Sequence, residues 1–317
     1  MLLSHLQQRL GITNTALQWF ASYLGGRTQK IKVNDALSSP HPVRYGVPQG
    51  SVLGPLLFTL YTQPLDSLIR AHNLRYHLYA DDTQLYLAFT PSSPASSANA
   101  IAVIERAAHD IKSWMTNHCL QLNDDKTEFL VVLRPHRRNN TPVHLPALQV
   151  NGVHINPSTS VRNLGVVFNT AFNLDDHVNN ICRSMFFHLH NIGKIRDYLT
   201  IDATRALVQA YVISRLDYCN ALFYGLTATT RSRLQRAQNA AARVVTRSKK
   251  RDSITPVLRE LHWLPVEHRV TYKIALITFK VLRGLAPPYL EELVQVYVPR
   301  RTLRSASERL HASGAEL

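Results

Sequence analysis

The chain has 317 residues, 45% of them apolar, and a formal net charge of +15, values that suit about two globular domains with real cores. No apolar run reaches the roughly 18 residues needed to span a membrane, and the first residues carry no basic-then-apolar secretory signal. Cys119, Cys182 and Cys219 lie too far apart for a zinc site or a disulfide framework, so an intracellular setting, nuclear or cytoplasmic, is expected.

In chain order, Leu2, Leu3 and Leu6, then Leu17, Phe20, Ala21 and Leu24, repeat at helical spacing on either side of Gly11. They predict two short helices, the second ending at Gly25-Gly26. Residues 28–34 alternate as a strand, 38–42 read as a turn and 43–47 as the returning strand, with Asp35 in hairpin-turn context. Residues 53–71 predict a helix kinked or broken at Pro64. A hairpin follows, with apolar runs at 76–78 and 85–89 joined through Tyr79-Ala80-Asp81-Asp82. Residues 91–97 predict a loop rich in N-cap side chains. Ile101, Ile104, Ala108, Ile111, Trp114 and Met115 then form the stripe of a long helix. Residues 129–133 read as a buried strand, 148–155 as a hairpin turning at Asn151-Gly152, and 161–168 as one more strand.

Beyond about residue 174 the period is helical. Val178 to Ile192, Ala206 to Ile213, Leu234 to Val245 and Ile274 to Leu282 mark four helices. The charge shifts at the same place: residues 1–182 hold 14 Lys/Arg against 11 Asp/Glu, residues 183–317 hold 22 against 10. The expected organisation is an α+β domain over 1–174 followed by an all-α, basic domain over 175–317.

Two segments carry chemistry. Adjacent carboxylates at the Asp81-Asp82 tip repel each other unless a cation neutralises them, and such a tip can hold Mg²⁺ against phosphate oxygens. An ordinary solvated hairpin turn is the plain alternative. Residues 46–55 pack three glycines and two prolines into ten positions, which fixes an unusual backbone path and permits close approach of a nucleotide; a tight entry loop is the alternative. The basic second half suits a phosphate backbone or merely solubilises the chain. The fifteen histidines read as structural or surface residues.

Several blocks in order resemble the reverse transcriptase domain of LINE-type (non-LTR) retrotransposons: residues 46–58, the YADD hairpin 79–82, Trp114 with 120–128, 161–166, 215–220, 234–241 and 261–266. The resemblance implies a partial right-hand polymerase palm, an antiparallel sheet with helices, followed by a helical thumb and connection. It implies that Asp81 binds Mg²⁺ (or Mn²⁺) with Asp82 as a supporting carboxylate. Lys126 would neutralise or protonate the leaving phosphate, or else stand as a solvated lysine. Pro48, Gln49 and Gly50 would line the nucleotide pocket, and Tyr79 would lie near the primer terminus. Arg231, Arg233, Arg236, Arg243, Arg247, Lys249, Lys250 and Arg251 would contact phosphates of the template–primer. Lys249-Lys250-Arg251 also fits a weak nuclear signal or an exposed loop. The implied partners are an RNA template, an RNA–DNA or DNA duplex and deoxynucleoside triphosphates, with no membrane.

The family's palm takes a third carboxylate from a strand ahead of the segment matching residues 1–10. No Asp or Glu occurs in residues 1–34, and the fingers region has no counterpart. The expectation is therefore a catalytically incomplete copy, inactive alone, with open palm-strand edges prone to aggregate. A nucleic-acid-binding remnant is the alternative.

Overall fold

The computed structural model describes residues 2–43, 45–46, 50–91, 93–133, 145–150, 152–297 and 309–312. By their contacts they form two units, Met1–Phe129 with Arg138–Ser158, and Leu130–Arg137 with Thr159–Leu317. The hairpin over 160–169 thus groups with the helical unit, ahead of the boundary placed at residue 174.

In the first unit, α1 (Leu2–Leu10) and α2 (Asn14–Leu24) stand as the spacing predicts. The next segment corrects the expectation. Two-residue strands β1 (Thr28–Gln29), β2 (Lys32–Val33), β3 (Ala36–Leu37) and β4 (His41–Pro42) pair as β1 with β4 and β2 with β3. The return therefore begins at residue 36, and residues 38–42 are not the turn. Asn34 takes a left-handed φ of 53°, which Asn tolerates better than most residues, and so turns the chain early. All eight strand residues are exposed. A ribbon without a buried face does not dictate its register through alternation.

The predicted helix over 53–71 divides at Pro64 into α3 (Gly54–Thr62) and α4 (Leu65–Ala71), because proline cannot donate the intrahelical bond. Then come β5 (Arg75–Tyr79) and β6 (Asp82–Tyr86), a two-stranded antiparallel sheet. Next, α5 (Pro94–Asn117) begins earlier than the loop reading allowed. Ser93 Oγ accepts from Ser96 N at 3.2 Å, and Pro94 occupies the first turn where no N–H is needed. Its stripe Ala107, Ile111 and Met115 packs on Leu65, Ile69 and Leu74, while Ile101 joins Leu148, Val150 and Ile155. The expected strand at 129–133 is shorter, β7 (Phe129–Leu130). The hairpin β8 (Leu148–Val150) and β9 (Val153–Ile155) forms as predicted, followed by β10 (Pro157–Ser158).

In the second unit, the single strand expected at 161–168 is a hairpin, β11 (Ser160–Asn163) and β12 (Val166–Asn169). Leu164 and Gly165 both take positive φ, 45° and 82°, as a two-residue turn with native twist requires. Tyr218 holds that turn: its hydroxyl donates to Leu164 O at 2.6 Å. A Cβ on Gly165 would lie 3.2 Å from the Tyr218 ring.

Helix α6 (Asp175–Ile195) buries Val178, Ile181, Met185, Leu189 and Ile192. It packs against α7 (Ile201–Val208) and α9 (Ala228–Thr246). A π-helical turn, Gln209–Ile213, joins α7 to the short α8 (Ser214–Asp217). After these come α10 (Ile254–Glu260), which the periodicity reading passed over, α11 (Val266–Leu282), and strands β13 (Val294–Tyr297) and β14 (Arg309–Ala312), paired antiparallel. One core runs from Val166 to Val270. Each fully buried aliphatic side chain in it contributes about 1.5–3 kcal/mol. Among the described residues no helix is long and apolar enough to cross a membrane.

Candidate functional site

The β5–β6 hairpin pairs Tyr76 with Leu85 and Leu78 with Thr83 on one face, and His77 with Gln84 and Tyr79 with Asp82 on the other. Tyr76, Leu78 and Leu85 pack on the core that includes Leu65, Ile69 and Ile111. The first face is therefore anchored, and the face bearing Tyr79 and Asp82 points away from that core. Arg70, paired with Asp66 at 2.6 Å, lies over the Tyr76 ring at 5.5 Å and steadies the hairpin's base.

At the tip, Ala80 and Asp81 are the two central turn residues and Asp82 opens β6. Asp81, Asp82 and Tyr79 are all exposed, so none of the described residues buries the two carboxylates. Ala80 takes a φ of 52°, a conformation that costs an L-residue about 1–2 kcal/mol. The turn thus carries strain at the residue directly before the acidic pair, a pattern met at functional turns. Asp81 and Asp82 supply hard oxygen donors of the kind Mg²⁺ and Mn²⁺ accept beside water and phosphate oxygens, so their chemistry fits such a cation. Among the described residues, no group of three or more His, Cys, Asp or Glu side chains gathers in a way that could hold a metal.

Lys126 sits in the same unit, exposed at the end of the 3₁₀ turn Asp124–Lys126. That turn is tied to α5 by the Lys112–Asp124 ion pair at 2.6 Å. Trp114 stacks on His118 at 3.8 Å, and Tyr61 donates to His118 O at 2.7 Å. Burial, with the Cys119 charge second, raises the Tyr61 phenol above its usual range. These contacts make the Trp114 block structural: it clamps the C-terminal end of α5 onto α3. Pro48 and Gln49 lie outside the described residues. Gly50 is exposed with a φ of 81°, and beside it Ser51 Oγ meets the Tyr23 hydroxyl at 2.5 Å. A cleft of ≈ 220 Å³ in this unit is lined by Ser4, His5, Gln8, Arg9, Tyr61, Pro64 and His118, none of them from the hairpin.

In the second unit the eight expected phosphate contacts divide. Arg236, Lys249, Lys250 and Arg251 are exposed. Four others carry internal bonds. Arg231 pairs with Glu267 at 3.5 Å and Arg233 donates to Asn179 at 2.7 Å. Arg243 donates to the Lys249 and Asp252 carbonyls. Arg247 pairs with Asp197 at 3.2 Å and donates to Arg196 O.

The remaining motif segments interlock. Gln235 accepts from Val266 N at 2.9 Å at the start of α11, and the fully buried Gln238 donates to Leu264 O at 2.8 Å. Arg269 donates twice to Asp217 at 2.9 Å and once to Leu264 O. The segments at 215–220, 234–241 and 261–266 are therefore one hydrogen-bonded joint between α8, α9 and α11. Sequence reasoning missed Arg196, buried at the C-terminal end of α9; only its helix-end position in the sequence hinted at such a role.

Residues 4–168, just over half of the chain, match the family described as "Reverse transcriptase (RNA-dependent DNA polymerase)". The chain is also similar to "Probable RNA-directed DNA polymerase from transposon BS" of Drosophila melanogaster, 24% identical over 261 residues, 79% of this chain and 28% of the relative. "Probable RNA-directed DNA polymerase from transposon X-element" of the same organism is 27% identical over 233 residues, 71% of this chain and 24% of the relative. "RNA-directed DNA polymerase from mobile element jockey", again of Drosophila melanogaster, is 24% identical over 165 residues, covering 50% and 17%. The match thus spans between 17% and 28% of the length of these curated relatives.

Proposed function

The chain belongs to the reverse transcriptase family of non-LTR retrotransposons, and on that premise we propose that it supplies the metal-binding hairpin and a duplex-binding surface for RNA-templated DNA synthesis. The observation that carries the reading is the exposed Asp81–Asp82 pair on a core-anchored hairpin with a strained turn, inside the matched span. Asp81 is the direct metal ligand and Asp82 the supporting carboxylate. When bound, Mg²⁺ supplies charge that favours a deprotonated primer hydroxyl and neutralises phosphate oxygens. Tyr79 shares the outer face with Asp82 and orients the primer end by ring contact. Lys126 reaches toward the triphosphate as a proton donor or point charge. Pro48, Gln49 and Gly50 form the nucleotide-side loop. Arg236, Lys249, Lys250 and Arg251 bind phosphates directly, while Arg231, Arg233, Arg243 and Arg247 do so with the donors their internal bonds leave over.

A palm fold over residues 1–174 and a thumb over 175–317 are part of this reading, and so is the lack of activity by this chain alone. Two-metal phosphoryl transfer leans on more acidic ligands than two adjacent aspartates, and the described residues bring no third acid to them. The same fact favours a second reading, a chain that binds template–primer without catalysis.

Primer extension on a defined RNA template, with Mg²⁺ and four deoxynucleotides, tests the proposal in wild type and in Asp81→Asn/Asp82→Asn. The expected result is duplex binding by both and extension by neither. Extension that vanishes in the double variant would mean this chain completes the site itself. Extension that survives in the variant would refute the role of the two aspartates.

A further inference from the structure

One side of α6 is buried, through Val178, Ile181, Met185, Leu189 and Ile192. The opposite side carries Arg183, Phe187 and Lys194, spaced four and seven residues apart and therefore on one face. Phe187 is 61% exposed, which is far from a core position for a phenyl ring. Its ring meets the His188 ring edge-on at 5.3 Å, and His188 stacks on Tyr211 at 5.3 Å with an interplanar angle of 26°. Tyr211 projects from the π-helical turn, 48% exposed, although its neighbours Val212 and Ile213 are fully buried. Arg215 donates from Nη2 to His188 Nε2 at 3.2 Å and from Nε to Tyr211 O at 3.0 Å, which holds the guanidinium beside the rings. A π turn inside a helix re-aims side chains and is frequent at functional positions.

Residues 177–196 and 203–216 contain no Asp or Glu, so the patch carries one sign of charge. Cations interleaved with exposed rings match a strand that offers phosphates and open base faces. A duplex keeps its bases stacked on one another and offers these rings nothing. A contact face for a second copy would be expected to exclude charge from its centre.

We propose that Arg183, Phe187, His188, Lys194, Tyr211 and Arg215 form a stacking platform for unpaired bases of single-stranded nucleic acid, separate from the basic residues of α9 and of the segment that follows it, which are assigned to the duplex. The platform is independent of the hairpin chemistry. A chain that never extends a primer would still show it, and a failure here would leave the Asp81–Asp82 reading intact.

Fluorescence anisotropy of the full chain tests it with three probes: a 20-nucleotide oligouridine, an abasic oligomer with the same phosphates, and an RNA–DNA duplex. The full chain should bind the base-bearing strand at least about 10-fold more tightly than the abasic one. Phe187→Ala and Tyr211→Ala should each erase most of that difference while leaving abasic and duplex affinity unchanged. Phe187→Tyr and Tyr211→Phe should keep it, which separates stacking from any loss of fold. Arg183→Ala/Lys194→Ala should weaken both single strands and flatten their salt dependence. Equal affinity for base-bearing and abasic strands would overturn the proposal. So would self-association, or binding to phosphatidylserine vesicles, that Phe187→Ala abolishes.

Discussion

Replacing Arg196 by Met should destabilise the helical unit severely, although the residue belongs to a basic half that suggests solvated charge. Arg196 is 8% exposed and donates to three carbonyls: Val244 O at 2.8 Å, Val245 O at 2.9 Å and Leu199 O at 2.9 Å. Val244 and Val245 lie in the last turn of α9, where carbonyls have no intrahelical partner and the helix end is partially negative. Hydrogen bonds from a charged donor are worth about 1.5–3 kcal/mol each. Removing the guanidinium also relieves the cost of burying it, so the three do not add in full. A loss of about 3–5 kcal/mol is expected, a large part of a typical domain's stability. Arg196→Lys keeps the charge but not the planar fork and should fall between. Urea unfolding of the full chain, followed by far-UV circular dichroism, measures this. A Met variant within about 0.5 kcal/mol of wild type would refute Arg196 as the C-terminal cap of α9.

His177 is buried, its Nδ1 accepts from Val167 N at 3.3 Å, and its Nε2 has no hydrogen-bond partner among the described residues. Burial first and the Arg162 charge second hold its pKa below the ordinary histidine value. The unfolded chain takes up a proton near pH 6.5 and the folded chain only at lower pH, so its contribution is complete above about 6.5 and falls as pH drops through that value. Urea midpoints should decline below about pH 6.5, and His177→Phe should flatten the decline; an unchanged slope would count against the assignment. At the hairpin tip, Ala80→Gly should raise stability by up to about 1 kcal/mol by relieving the positive φ, net of the glycine's extra unfolded freedom. A clear loss would show that the turn is not strained. Tyr218→Phe should cost about 1 kcal/mol through the lost bond to Leu164 O. Gly165→Ala should cost about 2 kcal/mol, since it adds a tight contact and a disfavoured φ.

Most of the helices were legible because their apolar spacing coincides with their buried faces, as in Val178 to Ile192. Pro64 announced its own break, since a missing N–H acts locally. The YADD turn was legible for the same reason: strand-type runs flank it and pair in register. The hairpin at 160–169 was not, because Leu164 is no turn former and the turn depends on Tyr218, distant in sequence. The ribbon at 28–42 has no buried face to set a pattern. Ile254, Val257, Leu258 and Leu261 do carry the helical spacing of α10, but over only two turns. Charge was the least legible property. Composition marks the second half as basic but cannot say that Arg196 and Arg269 are bound internally while Arg236 and Lys250 face solvent. At the candidate site, Asp81, Asp82 and Tyr79 fall together on one hairpin as the motif suggests.

The most direct test is a Mn²⁺ titration of the full chain with template–primer and a deoxynucleoside triphosphate, read by electron paramagnetic resonance. The account predicts bound Mn²⁺ whose signal requires the carboxylates, lost in Asp81→Asn/Asp82→Asn while template–primer affinity is retained. Identical Mn²⁺ binding by wild type and the double variant would contradict it.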